Sequence, residues 1–416
     1  GGVCNRARGR VIEMASKRKR IRVDWAAKLA RQLKRVDSSA TSAAASPVEA
    51  SGAAVEMPSS PSTWPPDDAN GDNERVLLRD LEHPCWWGSH APRVAITVCM
   101  RECPAPRLRE WLFWHLSEGT CLIFIRWEGL LSEEQQAVLR GPSDRGEVVL
   151  KCEPRGGGSS SFQAVMCRQV KFTHSSIAAA RERGCDFLLH LDDDELFFPR
   201  QTTSGIPDVF RQHMGSTASC IHFSNLEAVF PFARDTDRPF SRPDTQFRAR
   251  TQVLYCNGKS AANLRAPGEV FCSGVHHFCR YDRSFEPPRP TEFGLHDEGG
   301  GCTHPSCCRQ CDAAVVLHFD SPSFAEWQSK FTARARSRLS KEDREEMNSF
   351  PFKGESIRTL QRSTCSESEQ ERVYRHWRCL PGLPHDSFDR RVTGWAVMTR
   401  FLSRLRSTRQ HAHGSG

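Results

Sequence analysis

No run in the 416 residues approaches the ~20 consecutive apolar positions that a helix needs to cross a bilayer, which excludes a helical transmembrane segment within this sequence. Asn-x-Ser/Thr acceptor sites are also missing, in a chain where asparagine is scarce. A large charge excess of one sign is absent: 58 Lys and Arg against 50 Asp and Glu leave +8, and much of that surplus sits in residues 1–37. Such a distribution argues against a nucleic-acid-coating surface over the folded part. Regular cysteine spacing is lacking as well. Eighteen cysteines would suit a disulfide framework in an oxidising lumen. Yet Cys99, Cys121, Cys167 and Cys185 fall inside apolar patterns, where cysteine serves as a small buried hydrophobe. Both readings stay open.

The length fits one large domain with tails, or two domains. Residues 1–37 carry "SKRKRIR" and a basic amphipathic pattern through "VDWAAKLARQLKRV", read first as a solvated tail. "MASKRKR" at Met14 resembles a translation start, and no apolar signal segment follows it. Residues 38–73 are rich in Ser, Ala, Pro, Gly and Asp, a composition that cannot bury enough surface to order itself. Residues 1–74 are therefore expected to be a basic, disordered tail and linker, with folding from residue 75. "RVAITVCM", "CLIFIRW", "EVVLKC" and "DFLLHL" read as short buried strands. Helical patterns lie between them at Pro106–Gly119, at "SEEQQAVLR" and over Phe162–Arg183. Strands alternating with helices predict an α/β sheet covered on both faces, with ligands at the carboxyl ends of its strands.

The fourth strand runs directly into four carboxylates, Asp192 to Glu195, within "LLHLDDDELFFP". Clustered like charges are costly beside a core unless a cation or hydrogen bonds compensate them. Asp192 and Asp194 bracket one residue, so both can leave a strand end and converge on one divalent cation with hard oxygen ligands. That cation would in turn hold substrate phosphates; the competing reading is a solvated acidic turn. A second constellation is "CTHPSCCRQC", in which Cys308 and Cys311 have the C-x-x-C spacing of a zinc site. Cys302, His304 and Cys307 are available as further ligands. Disulfides, with Cys272 and Cys279 as possible partners, and free thiols are the alternatives.

"VAITVCMRECPAPRLREWLFWHLSEG" resembles the opening strand and helix of GT-A glycosyltransferases of the family 2-like and family 92 (galactan synthase-like) type. Arg101 and Glu102, then Glu110, Trp111, His115 and Gly119, occupy the family's positions. "DFLLHLDDDELFFP" is similar to their D-x-D-E-F element, and "YCNGKSAANLRAP…GVHHF" to a later G-K-S and H-H-F stretch. "VVLHFDSPSFAEWQSKF" resembles their closing strand with a histidine, followed by a helix ending in lysine. The resemblance spans about Val94 to Phe331.

It implies a GT-A fold, a Rossmann-like mixed sheet with helices on both faces, over residues 75–335, with a Cys-rich insertion at about 283–311 and a helical C-terminal extension over 336–416. It also implies a nucleotide-sugar donor, with UDP-sugar favoured, a glycan or other hydroxyl acceptor, no nucleic acid, and Mn2+ or Mg2+. Glu102, Asp192 and Lys259 would serve donor binding. Asp192, Asp194 and His318 would hold the metal, with Glu195 supporting the loop; His276 and His277 compete with His318. Arg101 departs from the family's asparagine and leaves the base contacts open. An inverting transfer also needs a carboxylate base, for which Glu227, Asp282, Asp297 and Glu298 are the candidates.

The tail is expected to be helical, with "FDRRVTGWAVMTRFLSRLRS" a basic amphipathic helix that packs on the domain or touches an acidic membrane surface. The rival to catalysis is a zinc- or disulfide-stabilised interaction module. Golgi or secretory membranes would suit a chain that extends upstream; otherwise a cytoplasmic location follows.

Overall fold

In the computed structural model, β1 (Val94–Met100), β2 (Leu122–Glu128), β3 (Val148–Glu153) and β4 (Phe187–His190) lie parallel in the order β3-β2-β1-β4. The structure describes residues 91–153, 162–201, 205–236, 238–248, 258–281, 308–336, 351–379 and 388–413. Between these strands run α1 (Ala105–Ser117), α2 (Glu133–Asp144) and α3 (Phe162–Glu182), as the alternation predicts, and the short α4 (Ile206–Arg211) comes later in the chain. β1 is buried at nearly every position, so it has no solvent-facing side, which is why its sequence is a continuous apolar run. α2 starts with a capping box in which Ser132 and Gln135 satisfy each other's backbone N–H.

Beyond β4 the sheet turns mixed. β9 (Lys259–Asn263) pairs antiparallel with both β4 and β6 (Cys220–Phe223), and β12 (Cys308–Gln310) adds in parallel to β6. A second, five-stranded sheet holds β5 (Glu195–Pro199), β7 (Asn225–Val229), β8 (Gln246–Arg248), β13 (Ala314–His318) and β14 (Phe388–Thr393) in the order β14-β8-β7-β13-β5. β10 (Glu269–Gly274) and β11 (His277–Tyr281) form a separate hairpin-like pair. The fold is thus a mixed α/β sheet architecture, and the chain passes from the first sheet to the second through the acidic turn between β4 and β5.

β5 lies at an edge of its sheet, and an unpaired edge would leave backbone groups unsatisfied in the core. Side chains of α1 replace the missing strand. Trp111 Nε1 donates to the Glu195 carbonyl at 2.8 Å, Trp114 Nε1 donates to the Phe197 carbonyl at 2.9 Å, and His115 Nε2 accepts from the Phe197 N–H at 3.3 Å. That last bond fixes the tautomer, so Nδ1 carries the proton toward the Trp111 carbonyl 2.9 Å away. The W-x-x-W-H pattern therefore anchors the strand that leaves the acidic turn.

Burial pushes the His115 pKa down to about 3 from an ordinary 6.5, against the opposing bond to Trp111. A depressed histidine pKa means the neutral ring's contribution is complete above pH 6.5 and shrinks as pH falls toward the folded value, by up to about 1.4 kcal/mol per pH unit. Relative to His115→Gln, the wild type is expected to lose roughly 2 kcal/mol of its stability between pH 7 and pH 5. Urea unfolding of both proteins at the two pH values checks this.

The C-terminal segment departs from expectation at one point. Phe388–Thr393 is strand β14, paired with β8, and the helix α8 starts only at Gly394 (Gly394–His413). The Thr393 hydroxyl accepts the Ala396 N–H, and a Cβ at Gly394 would lie 2.4 Å from the Arg242 carbonyl oxygen, so the chain must turn there with glycine. A continuous basic helix through "FDRRVTGW" is thereby corrected. α8 packs on α1 through Phe401, 4.8 Å from Trp114 between ring centroids. α5 (Phe324–Arg336), α6 (Pro351–Gln361) and α7 (Glu367–Arg378) close around their own cluster of Phe324, Trp327, Phe331, Phe352, Ile357 and Tyr374. Among the described residues, no helix is long and apolar enough to cross a membrane.

Candidate active site

The four carboxylates sit at the carboxyl end of β4, and each has a different environment. Asp192 is partly exposed; its Oδ2 accepts from Lys259 Nζ at 2.5 Å and its Oδ1 from Gln169 Nε2 of α3 at 3.0 Å. Glu195 is fully buried, accepts the Asp192 N–H at 2.8 Å and lies 3.3 Å from the same Lys259 ammonium. One residue thus closes the turn while a second holds its first carboxylate. Lys259 is itself wholly buried. A buried ammonium is expensive unless compensated, and here Asp192 and Glu195 overcome the effect of burial and raise its pKa.

Gly258 lets β9 reach this position. It has φ +63°, its N–H donates to Asn225 Oδ1 at 3.1 Å, and an added Cβ would lie 2.1 Å from the Phe223 carbonyl oxygen. Lys259, expected to serve donor binding, stands in the structure as an interior counter-ion at the start of a strand.

Asp194 points to the other side. Its Oδ2 lies 3.6 Å from His318 Nε2 and 3.5 Å from Lys330 Nζ of α5, and its carbonyl accepts the Phe319 N–H at 2.8 Å. His318 Nδ1 is 2.7 Å from Glu227 Oε1. Burial would lower the His318 pKa, but Glu227 and Asp194 outweigh it and hold the ring well above its ordinary value. Burial likewise works to raise the Asp194 carboxyl, and His318 with Lys330 reverses this, so it ionises well below the usual range. Lys330 also bonds Asp320 at 2.6 Å.

The two inner acids behave differently. Burial, reinforced by the Asp194 charge, pushes Asp193 up to about 7. Burial does the same for Glu195, with Lys259 opposing and Asp192 adding to the rise, again to about 7. These two carboxyls therefore ionise less readily than Asp192 and Asp194, which their cations hold low.

The predicted residues fall into four groups. Asp192, Asp194, Lys259 and His318 are brought to one turn, with Glu102 on the exposed loop after β1 at φ +55°. Glu227, a candidate base, is buried and committed to His318, to Asn225 Nδ2 at 2.9 Å and to Arg378 Nη1 at 3.2 Å. Asp282, Asp297, Glu298, Cys302, His304 and Cys307 lie outside the described residues. His276 Nδ1 lies 3.0 Å from the Gly258 carbonyl, and His277 stacks on His222 with ring centroids 5.9 Å apart.

Among the described residues no three His, Cys, Asp or Glu side chains are grouped to hold a metal, so the zinc expectation has no support there. Cys308 sits 3.2 Å from Cys220 between sulfurs, and the Cys311 sulfur accepts from Gln212 Nε2. Arg378 is the residue sequence reasoning missed, with no signal to mark it; Lys330, the lysine that ends the "FAEWQSK" helix of the resemblance, was given no role.

Comparison with known proteins adds context. No family model and no curated protein matches the sequence. Similar solved structures include the mannosyltransferase PcManGT from Pyrobaculum calidifontis in complex with GDP-Man and Mn2+, at 11% identity and TM-score 0.29, covering 77% of this chain and 76% of that one. The WbbM bifunctional glycosyltransferase apo structure is 9% identical with TM-score 0.21, covering 32% of this chain and 23% of that one. HddC from Yersinia pseudotuberculosis is 7% identical with TM-score 0.21, covering 37% and 67% respectively. Likenesses at such TM-scores bear no weight for this chain's chemistry.

Proposed function

We propose that the chain is a metal-dependent glycosyltransferase of GT-A type that moves a sugar from a nucleotide-sugar donor, UDP-linked in the first instance, to a hydroxyl acceptor. The observation that carries this reading is the pairing of Asp194 with His318 at the carboxyl end of the central strand. A carboxylate of the turn and the imidazole at the end of β13 meet there, and a second carboxylate backs the imidazole. That donor set suits Mn2+, which accepts both oxygen and imidazole ligands. Asp194 and His318 would hold the ion, while Asp192, turned to Lys259 and Gln169 on the other side, would steady the turn. When bound, the ion would supply Lewis-acid stabilisation of the leaving nucleoside diphosphate.

The chain's own residues supply the rest. The buried Oε1 of Glu195 has no hydrogen-bond partner, so the turn keeps an unused acceptor next to Asp194. Lys330, a third exposed in its side chain, is the cation placed to face phosphate, whereas Lys259 is enclosed and holds Asp192 in place. Glu227, with its oxygens committed, serves positioning and not proton abstraction. Incubating the full chain with a panel of UDP- and GDP-sugars tests the reading. Slow release of nucleoside diphosphate that needs Mn2+ and stops with EDTA is expected; release indifferent to EDTA, or none from any donor by folded protein, contradicts it.

A further inference from the structure

We infer that Glu227 and Arg378 form a positioning relay that fixes His318 Nε2 beside Asp194, so that the metal side of the site is set by helix α7. The inference deepens the proposed function and rests on it. A free imidazole can rotate about two bonds and present either nitrogen. Here Nδ1 is tied to Glu227 Oε1 at 2.7 Å, which leaves Nε2 as the nitrogen turned toward Asp194. Glu227 is fixed in turn by Asn225 Nδ2 at 2.9 Å on one oxygen and Arg378 Nη1 at 3.2 Å on the other.

Arg378 is an unusual residue to bury. It is fully enclosed, its Nε and Nη2 have no hydrogen-bond partner, and its guanidinium rests over Phe230 and Phe352 at 5.9 and 5.6 Å. A guanidinium held this way costs free energy, and the contact it secures is the one to Glu227. α7 also reaches the loop after His318. The Tyr374 hydroxyl donates to the Ser321 carbonyl at 3.3 Å, and Ser321 holds a left-handed φ of +53°, a conformation that a non-glycine residue keeps only when its surroundings impose it. Both ends of the His318 segment are therefore braced from one helix more than fifty residues downstream. A carboxylate behind a ligating imidazole typically sets metal affinity by 10–100-fold.

Mn2+ binding to the full chain, read from the electron paramagnetic resonance of free Mn2+ with and without UDP, tests the relay. The variants are Glu227→Gln and the double variant Glu227→Gln with Arg378→Met, which removes the buried pair together. Asp194→Asn reports the metal reading, and Glu118→Gln serves as a destabilised control remote from the turn. The relay predicts Mn2+ affinity weakened about 10–100-fold in both Glu227 variants on folded protein, with the Glu118→Gln control unchanged. Unchanged affinity in the Glu227 variants, where Asp194→Asn abolishes binding, overturns the relay and leaves the function standing. Binding indifferent to Asp194→Asn overturns both. Weakening that the control matches assigns Glu227 to stability alone and also overturns the relay.

Discussion

Asp194→Asn is expected to lower metal-dependent release of nucleoside diphosphate by at least about a hundredfold while leaving the fold in place. The side chain is the one member of the acidic turn that meets cations from both later elements, His318 of β13 and Lys330 of α5. The amide keeps the shape and can still accept a hydrogen bond, but it is a poor ligand for a hard cation and leaves two positive groups with one fewer counter-charge. Asp320 and Glu227 still balance Lys330 and His318, so the loss of stability without metal should stay near 1–2 kcal/mol. Turnover assays with Mn2+ and urea unfolding without it separate the two effects.

Glu118→Ala is expected to be the most destabilising single change, at about 3–5 kcal/mol, with the melting transition as the measurement. Glu118 ends α1, is fully buried, and receives Arg400 in a two-pronged pair at 2.7 and 2.6 Å. Arg404 adds a second guanidinium at 3.0 and 3.3 Å. Arg400 also donates to the Pro199 and Gln201 carbonyls, so one carboxylate joins α1, α8 and the end of β5. Removing it strands a buried guanidinium, which costs far more than losing an exposed pair. Arg400→Met with Glu118→Ala should recover much of the loss, because the uncompensated charge disappears with its partner. A double variant no more stable than Glu118→Ala alone would contradict the assignment.

Much of the parallel half of the fold was legible because β1 to β4 are continuous apolar runs separated by helical patterns, and each such run has one stable placement. The antiparallel half was not. β5, β7, β9 and β14 are five- or six-residue segments whose partners lie far along the chain, and "FDRRVTGW" offers a helix pattern as readily as a strand. Only the close approach of Gly394 to Arg242 and the pairing with β8 decide it.

The site followed the same division. Four carboxylates after a buried strand announce a ligand or a turn from sequence alone, and Lys259 and His318 stood out through the family resemblance. Trp111 and His115 stood out too, yet their task in the structure is to satisfy the edge of β5. Lys330 and Arg378 look like ordinary charged residues of amphipathic helices. What distinguishes them is the burial and the partners that tertiary packing creates.

Calorimetric titration of the full chain with UDP, then GDP, in the presence and absence of Mn2+ decides whether the acidic turn takes a nucleotide through a metal. Binding is expected to require Mn2+ and to disappear in Asp194→Asn. Failure of both nucleotides to bind folded protein with Mn2+ present, or equal binding without it, would contradict the assignment of the acidic turn as a donor-metal site.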